Sequence, residues 1–160
     1  MKKAFTLVEL LIVITIIGIL ASIGLGTFTS AQTKSRDVKR KAHLKQLSDA
    51  FEAYYNDHGQ YPADDDNGNL DGFTWGSSSF TDANGTVYMV QLPQDPTIGL
   101  TYFYDALAPA GSNTQYQLYA YLENSRDSAI MTLISPDCGT DKPCNYGVSS
   151  PNITPQEGRQ

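Results

Sequence analysis

From Phe5 to Phe28 the chain reads FTLVELLIVITIIGILASIGLGTF, an apolar run with a single charge, Glu9, near its start. Some twenty apolar residues coiled as a helix are enough to cross a bilayer core of about 30 Å. The pattern then turns amphipathic over 34–58. Leu44, Leu47, Phe51 and Tyr54 recur at spacings of three and four, which places them on one helical stripe. An unbroken helix from Phe5 to about Asp57 would reach ~80 Å at 1.5 Å per residue. Gly59 and Pro62 mark its end, because Gly accepts a left-handed cap and Pro cannot continue the helix. Residues 59–86 show no period and are rich in Gly, Asp, Asn and Ser, as a loop is. From Val87 the pattern changes to two-residue alternation: VYMVQL, then TYFYDA (101–106) and QYQLYAYLE (115–123), with AIMTLI (129–134) as a further strand. The polar tail from Pro151 reads as extended and frayed. A few antiparallel strands covering the Leu44–Tyr54 stripe make the fold class α+β.

Charge divides the 160-residue chain unevenly. Six Lys or Arg lie between Lys34 and Lys45, whereas the chain after position 45 has three cations (Arg126, Lys142, Arg159) against 15 acids, a balance of −12. The acidic, Tyr-rich remainder reads as a solvated domain and not as a nucleic-acid clamp. The basic cluster reads as a solvated helix face near anionic headgroups; nucleic-acid binding there rests on charge alone. By the positive-inside rule the cluster alone would keep the domain cytoplasmic. Asp64, Asp65, Asp66, Asn67, Asn69 and Asp71 invite a calcium reading, with Asp64 and Asp66 as weak metal candidates. Neither EF-hand register fits, because Gly68 or Leu70 falls at the wrong position, so a solvated acidic loop is preferred and no cofactor is expected. Phe73 and Trp75 would tack this loop to the core. No G-x-S-x-G, P-loop or H-E-x-x-H occurs, and His43 and His58 read as surface residues of the helix and its end. Enzymatic activity is not expected.

The stretch KKAFTLVELLIVITIIGILA resembles the class III signal and N-terminal helix of type IV pilins and type II secretion major pseudopilins. The resemblance implies that a prepilin peptidase removes the basic leader 1–4, cutting between Ala4 and Phe5. It also implies that the new Phe5 terminus is N-methylated and that Glu9 assists assembly. Ala4 stands where the family most often has Gly. Gly18, Gly24 and Gly26 interrupt the run where the family often has a proline; small residues allow close helix packing, and the resemblance adds a segment able to unwind in a filament. The order LPQDP, YFY, YQLYAYLEN also resembles pilin head domains. For an exported domain of this kind Cys138 and Cys144 suggest a disulfide pinning the C-terminal loop, with reduced thiols as the alternative.

The resulting organisation is a leader (1–4), a transmembrane and filament-core helix (5–28), its amphipathic continuation (29–58) and a globular head (59–160). The implied function is a structural subunit of a type IV pilus-like filament, homo-oligomeric and helical. It would be served by the peptidase and by pilus or secretion assembly machinery, held in the inner membrane of a prokaryote before assembly and extracellular afterwards. A secretion or competence pseudopilin is the alternative within the family. Two rivals lie outside it. One is a soluble secreted domain starting at Gln32 after a signal peptide ending Thr29-Ser30-Ala31; the other is a membrane-anchored binding domain that never assembles.

Overall fold

The computed structural model describes residues 5–108, 112–132 and 136–155, and of 23–27 only the helical backbone. One helix dominates: α1, Leu7–His58, 52 residues long, ~78 Å by its rise. Gly59 stops it in the left-handed conformation (φ 70°), its N–H bonded to the Tyr55 carbonyl at 2.7 Å. Five short strands follow: β1 (Phe80–Thr81), β2 (Val87–Met89), β3 (Phe103–Leu107), β4 (Gln115–Ala120) and β5 (Tyr146–Ser149). β1 and β2 form a small antiparallel hairpin, and β3-β4-β5 form an antiparallel sheet with β4 central. This is the α+β arrangement that the patterning predicts, and the pilin-like one that the resemblance implies.

The core lies between the second half of α1 and the sheet. Leu44, Leu47 and Phe51 are fully buried, and they meet Tyr104, Ala106, Tyr116, Leu118 and Ala120, which alternate on one face of β3 and β4. Phe51 sits at the centre, its ring 4.9 Å from Tyr104, 5.3 Å from Tyr116 and 5.7 Å from Phe80. Tyrosine suits such a core only if its hydroxyl finds a partner. Tyr104 donates to the Pro62 carbonyl at 2.7 Å, Tyr61 to Glu52 at 3.0 Å, and Tyr116 pairs with the Ser48 hydroxyl at 2.6 Å. Phe73 and Trp75 pack against this cluster from the loop side. On the other face of the sheet, Tyr119 packs with Cys138 and Cys144.

Three expectations change. The third sheet strand is Tyr146–Ser149 and not 129–134: the Asp127 carboxylate and carbonyl take the N–H groups of Ala129 and Ile130, folding that segment into a turn, and 133–135 lie outside the described residues. Residues 59–86 are not wholly loop, since β1 pairs with β2. The start of the tail is tied down: Asn152 donates to the Thr114 carbonyl at 3.0 Å and Ser149 to that of Ile153 at 2.6 Å, while 156–160 lie outside the described residues.

Nothing among the described residues covers the first half of α1. From Phe5 to Phe28 the described large apolar side chains remain between 46% and 79% exposed, all round the helix. Among the described residues no helix is long and apolar enough to cross a membrane; the described side chains break off after Ser22 and resume at Phe28.

Candidate functional site

Thr6 and Glu9 build the start of α1 together. The Thr6 N–H and hydroxyl both donate to Glu9 Oε2, at 2.9 and 2.7 Å, and the Glu9 N–H donates back to Thr6 Oγ1 at 3.3 Å. This is a capping box, in which N-cap and N3 residues satisfy each other's orphan donors. The pattern Thr6-x-x-Glu9 was legible in the sequence, yet Glu9 stood out there as a lone charge in an apolar run and as the assembly glutamate that the resemblance implies, not as a capping residue. The box fixes the carboxylate at the end of the helix beside Phe5, which is 79% exposed. Ala4 lies outside the described residues, as does the packing expected of Gly24 and Gly26. Gly18 faces open space, so no contact within the chain requires its lack of a side chain.

The second half of α1 is fastened to the head by charge. Arg40 is fully buried: its Nε and Nη2 donate to the two Asp95 carboxylate oxygens at 2.8 Å each, and Nη1 donates to Asp37 at 2.8 Å. Nη2 also reaches Thr97 Oγ1 at 2.8 Å and Glu123 Oε1 at 2.7 Å. Arg36 forks onto the same Glu123 through Nε and Nη2, and Lys41 pairs with Asp127 at 2.7 Å. Asp37 in turn accepts the backbone N–H groups of Glu123 (2.9 Å) and Asn124 (2.8 Å). Paired, bidentate charges of this kind are the form in which burial is tolerated. Hydrogen bonds from Arg36, followed by those from Arg40 and Thr97, outweigh burial and hold the Glu123 carboxyl at about 2. Burial opposes the charge on Arg40, but bonds from Asp95, Glu123 and Asp37 more than offset it and keep the guanidinium ionised. The Lys41 bond holds Asp127 below its ordinary value.

The basic cluster is therefore a solvated face only in part: Lys34, Lys39 and Lys45 are exposed, whereas Arg36, Arg40 and Lys41 clamp helix to head. The sequence signal for this was the Asp37-x-x-Arg40 pair, an acid inside a basic run. His43 is also not a surface residue. It is half-buried with Nδ1 2.7 Å from the Tyr102 hydroxyl, and burial pushes its pKa down. His58 stacks on Tyr54, ring centroids 4.1 Å apart, with Nε2 3.5 Å from Asp82.

Cys138 and Cys144 form a disulfide, Cα atoms 5.0 Å apart, and both are buried. The loop it closes supports the segment before β3, where the Thr101 N–H donates to the Cys138 carbonyl at 2.9 Å. In the acidic loop, Asp65 is the organising residue: its carboxylate accepts from the Asn67 N–H, the Asn69 N–H and the Asn69 amide at 2.8–3.0 Å. Asp64 forms a bridge to Leu70, and Asp66 takes a positive φ of 59°. Among the described residues no three His, Cys, Asp or Glu are grouped to hold a metal ion.

Residues 1–25 match the prokaryotic N-terminal methylation motif, and residues 27–129 match the type II secretion system (T2SS) protein G family. The chain is 38% identical over 60 residues to the type IV major pilin protein PilA of Myxococcus xanthus (strain DK1622), a match covering 38% of this chain and 27% of that protein. It is 41% identical over 63 residues to the fimbrial protein EcpC of Eikenella corrodens, covering 39% of this chain and 41% of that one. The chain thus spans well under half the length of either curated relative. No solved structure matches it significantly. With the methylation motif at its start and the protein G match over more than half its length, the chain belongs to the type II secretion system protein G family of pilin-like proteins.

Proposed function

We propose that this chain is a structural subunit of a type IV pilus-like filament, polymerised through its N-terminal helix. The observation that carries the reading is the apolar half of α1, exposed on every side and packed against nothing among the described residues. A helix apolar all round belongs inside lipid or inside a bundle of other helices. Lipid would hold the subunit before assembly, and a bundle of identical helices would hold it afterwards, placing the head outside the cell.

Removal of Met1–Ala4 between Ala4 and Phe5 by a prepilin peptidase would leave a cationic amine at Phe5. Glu9 of one subunit then pairs with the Phe5 amine of a neighbour, so that neither charge stays alone in an apolar surrounding. The capping box supports this, because it holds the carboxylate at the helix end, beside Phe5. The chain's role is mechanical and not catalytic. Replacing Glu9 by Ala should leave membrane insertion intact and abolish filaments; normal filaments from that variant would refute the role. A second reading, a secretion pseudopilus in place of a surface pilus, is favoured by the protein G match over 27–129, which takes in most of the head.

A further inference from the structure

Where α1 leaves its apolar half, a cleft of about 390 Å³ opens between the helix and the turn after β4, lined by Ser30, Lys34, Asn124, Ser125 and Arg126. Its size falls within the ~300–1,000 Å³ typical of small-ligand sites. Two cations, two hydroxyls and an amide line it, and no carboxylate does. The contrast with its surroundings is sharp. Arg36, Arg40 and Lys41, on the next turns of the same helix, are each bonded to carboxylates, whereas Lys34 and Arg126 have no ion pair among the described residues. The outer wall is also held in place: the Asn124 N–H is fixed by Asp37 at 2.8 Å, the Arg126 N–H by Asn124 Oδ1 at 3.3 Å, and Asp127 by Lys41.

Position selects the ligand. Leu7–Phe28 as helix measures ~33 Å, about the thickness of a bilayer core. Ser30 and Lys34 then lie ~3 and ~9 Å further along the axis, within the headgroup layer. We propose that this cleft binds the phosphate of an anionic membrane lipid headgroup while the subunit waits in the bilayer. The Arg126 guanidinium fork fits phosphate oxygens two at a time, Lys34 adds a point charge, and the Ser30 and Ser125 hydroxyls donate. The site would set the depth and tilt of the subunit before assembly. It rests on the membrane-held stage of the proposed function.

The test uses the full chain in vesicles of equal parts dioleoyl phosphatidylglycerol and dioleoyl phosphatidylcholine, washed at alkaline pH, extracted in mild detergent and weighed intact with its retained lipid. The expected result is retention of phosphatidylglycerol over phosphatidylcholine by roughly 10–30-fold, the scale of two basic residues at an anionic surface. Lys34→Gln with Arg126→Gln should abolish the preference, whereas Lys39→Gln, which removes an exposed charge from the same helix outside the cleft, should keep it. Retention in excess inorganic phosphate supports a lipid; displacement by it assigns the cleft to the free anion and overturns the proposal. A chain that survives the alkaline wash but holds both lipids equally overturns this proposal alone. A chain that washes off overturns it together with the membrane-held stage. Lost filaments in the double variant without any lipid preference would assign the two cations to a neighbouring subunit's acidic surface, which also overturns it.

Discussion

Arg40 carries the attachment of the helix to the head, and its removal leaves Asp95, Asp37 and part of Glu123 without their cation in a dry site. Breaking a buried pair from one side costs about 3–5 kcal/mol. Arg40→Ala should therefore lower the urea unfolding free energy of the detergent-solubilised chain by an amount of that order, read from Trp75 fluorescence as an earlier midpoint. Lys45→Ala should cost less than ~1 kcal/mol, because its pair with Asp49 is exposed. Glu123 makes the same network sensitive to acid. Its folded value near 2 lies below the ordinary 4.5, so its contribution is complete above about pH 4.5 and is lost as pH falls toward 2. The loss is on the order of 3 kcal/mol. Urea unfolding followed between pH 7 and pH 2 should show that decline, and Glu123→Gln should flatten it while lowering the plateau.

At the scale of elements, α1 and the disulfide loop set the frame. Gly59→Ala forces a side chain into φ 70° where space is open, so the cost is backbone strain alone, about 1 kcal/mol, measurable as a lower thermal midpoint. Reducing the Cys138–Cys144 bond frees a loop of six-residue separation and should cost ~2 kcal/mol, with added hydrogen exchange at Thr101, whose N–H rests on Cys138. Much of this frame was legible in the sequence. Leu44, Leu47 and Phe51 gave away the buried stripe, and Gly59 its end, because both signals are local and strong. β5 was not legible: YGVS is short and carries a glycine, and it becomes a strand by pairing with distant β4, where the Tyr119 ring lies over Gly147 and a Cβ would come within 2.7 Å. The 129–134 run had the better strand composition and lost to a turn set by Asp127. Arg40 was hidden for a related reason. A basic run on an exposed helix looks solvated until the loop carrying Asp95 and Thr97 folds over it, and that meeting spans more than fifty residues of chain.

Taken whole, the molecule is a head clamped by ion pairs to one half of a helix whose other half has no partner among the described residues. That asymmetry is the argument for assembly: a monomer leaves the apolar half bare, and like copies can cover it. The measurement that tests this most directly is the N-terminal sequence and intact mass of the chain recovered from filaments sheared off the cells and from their membranes. The account predicts a chain beginning at methylated Phe5, in the filament fraction. A chain beginning at Gln32 would mean that the apolar half is discarded, and one retaining Met1 outside any filament would mean that it serves only as an anchor; either result contradicts the account.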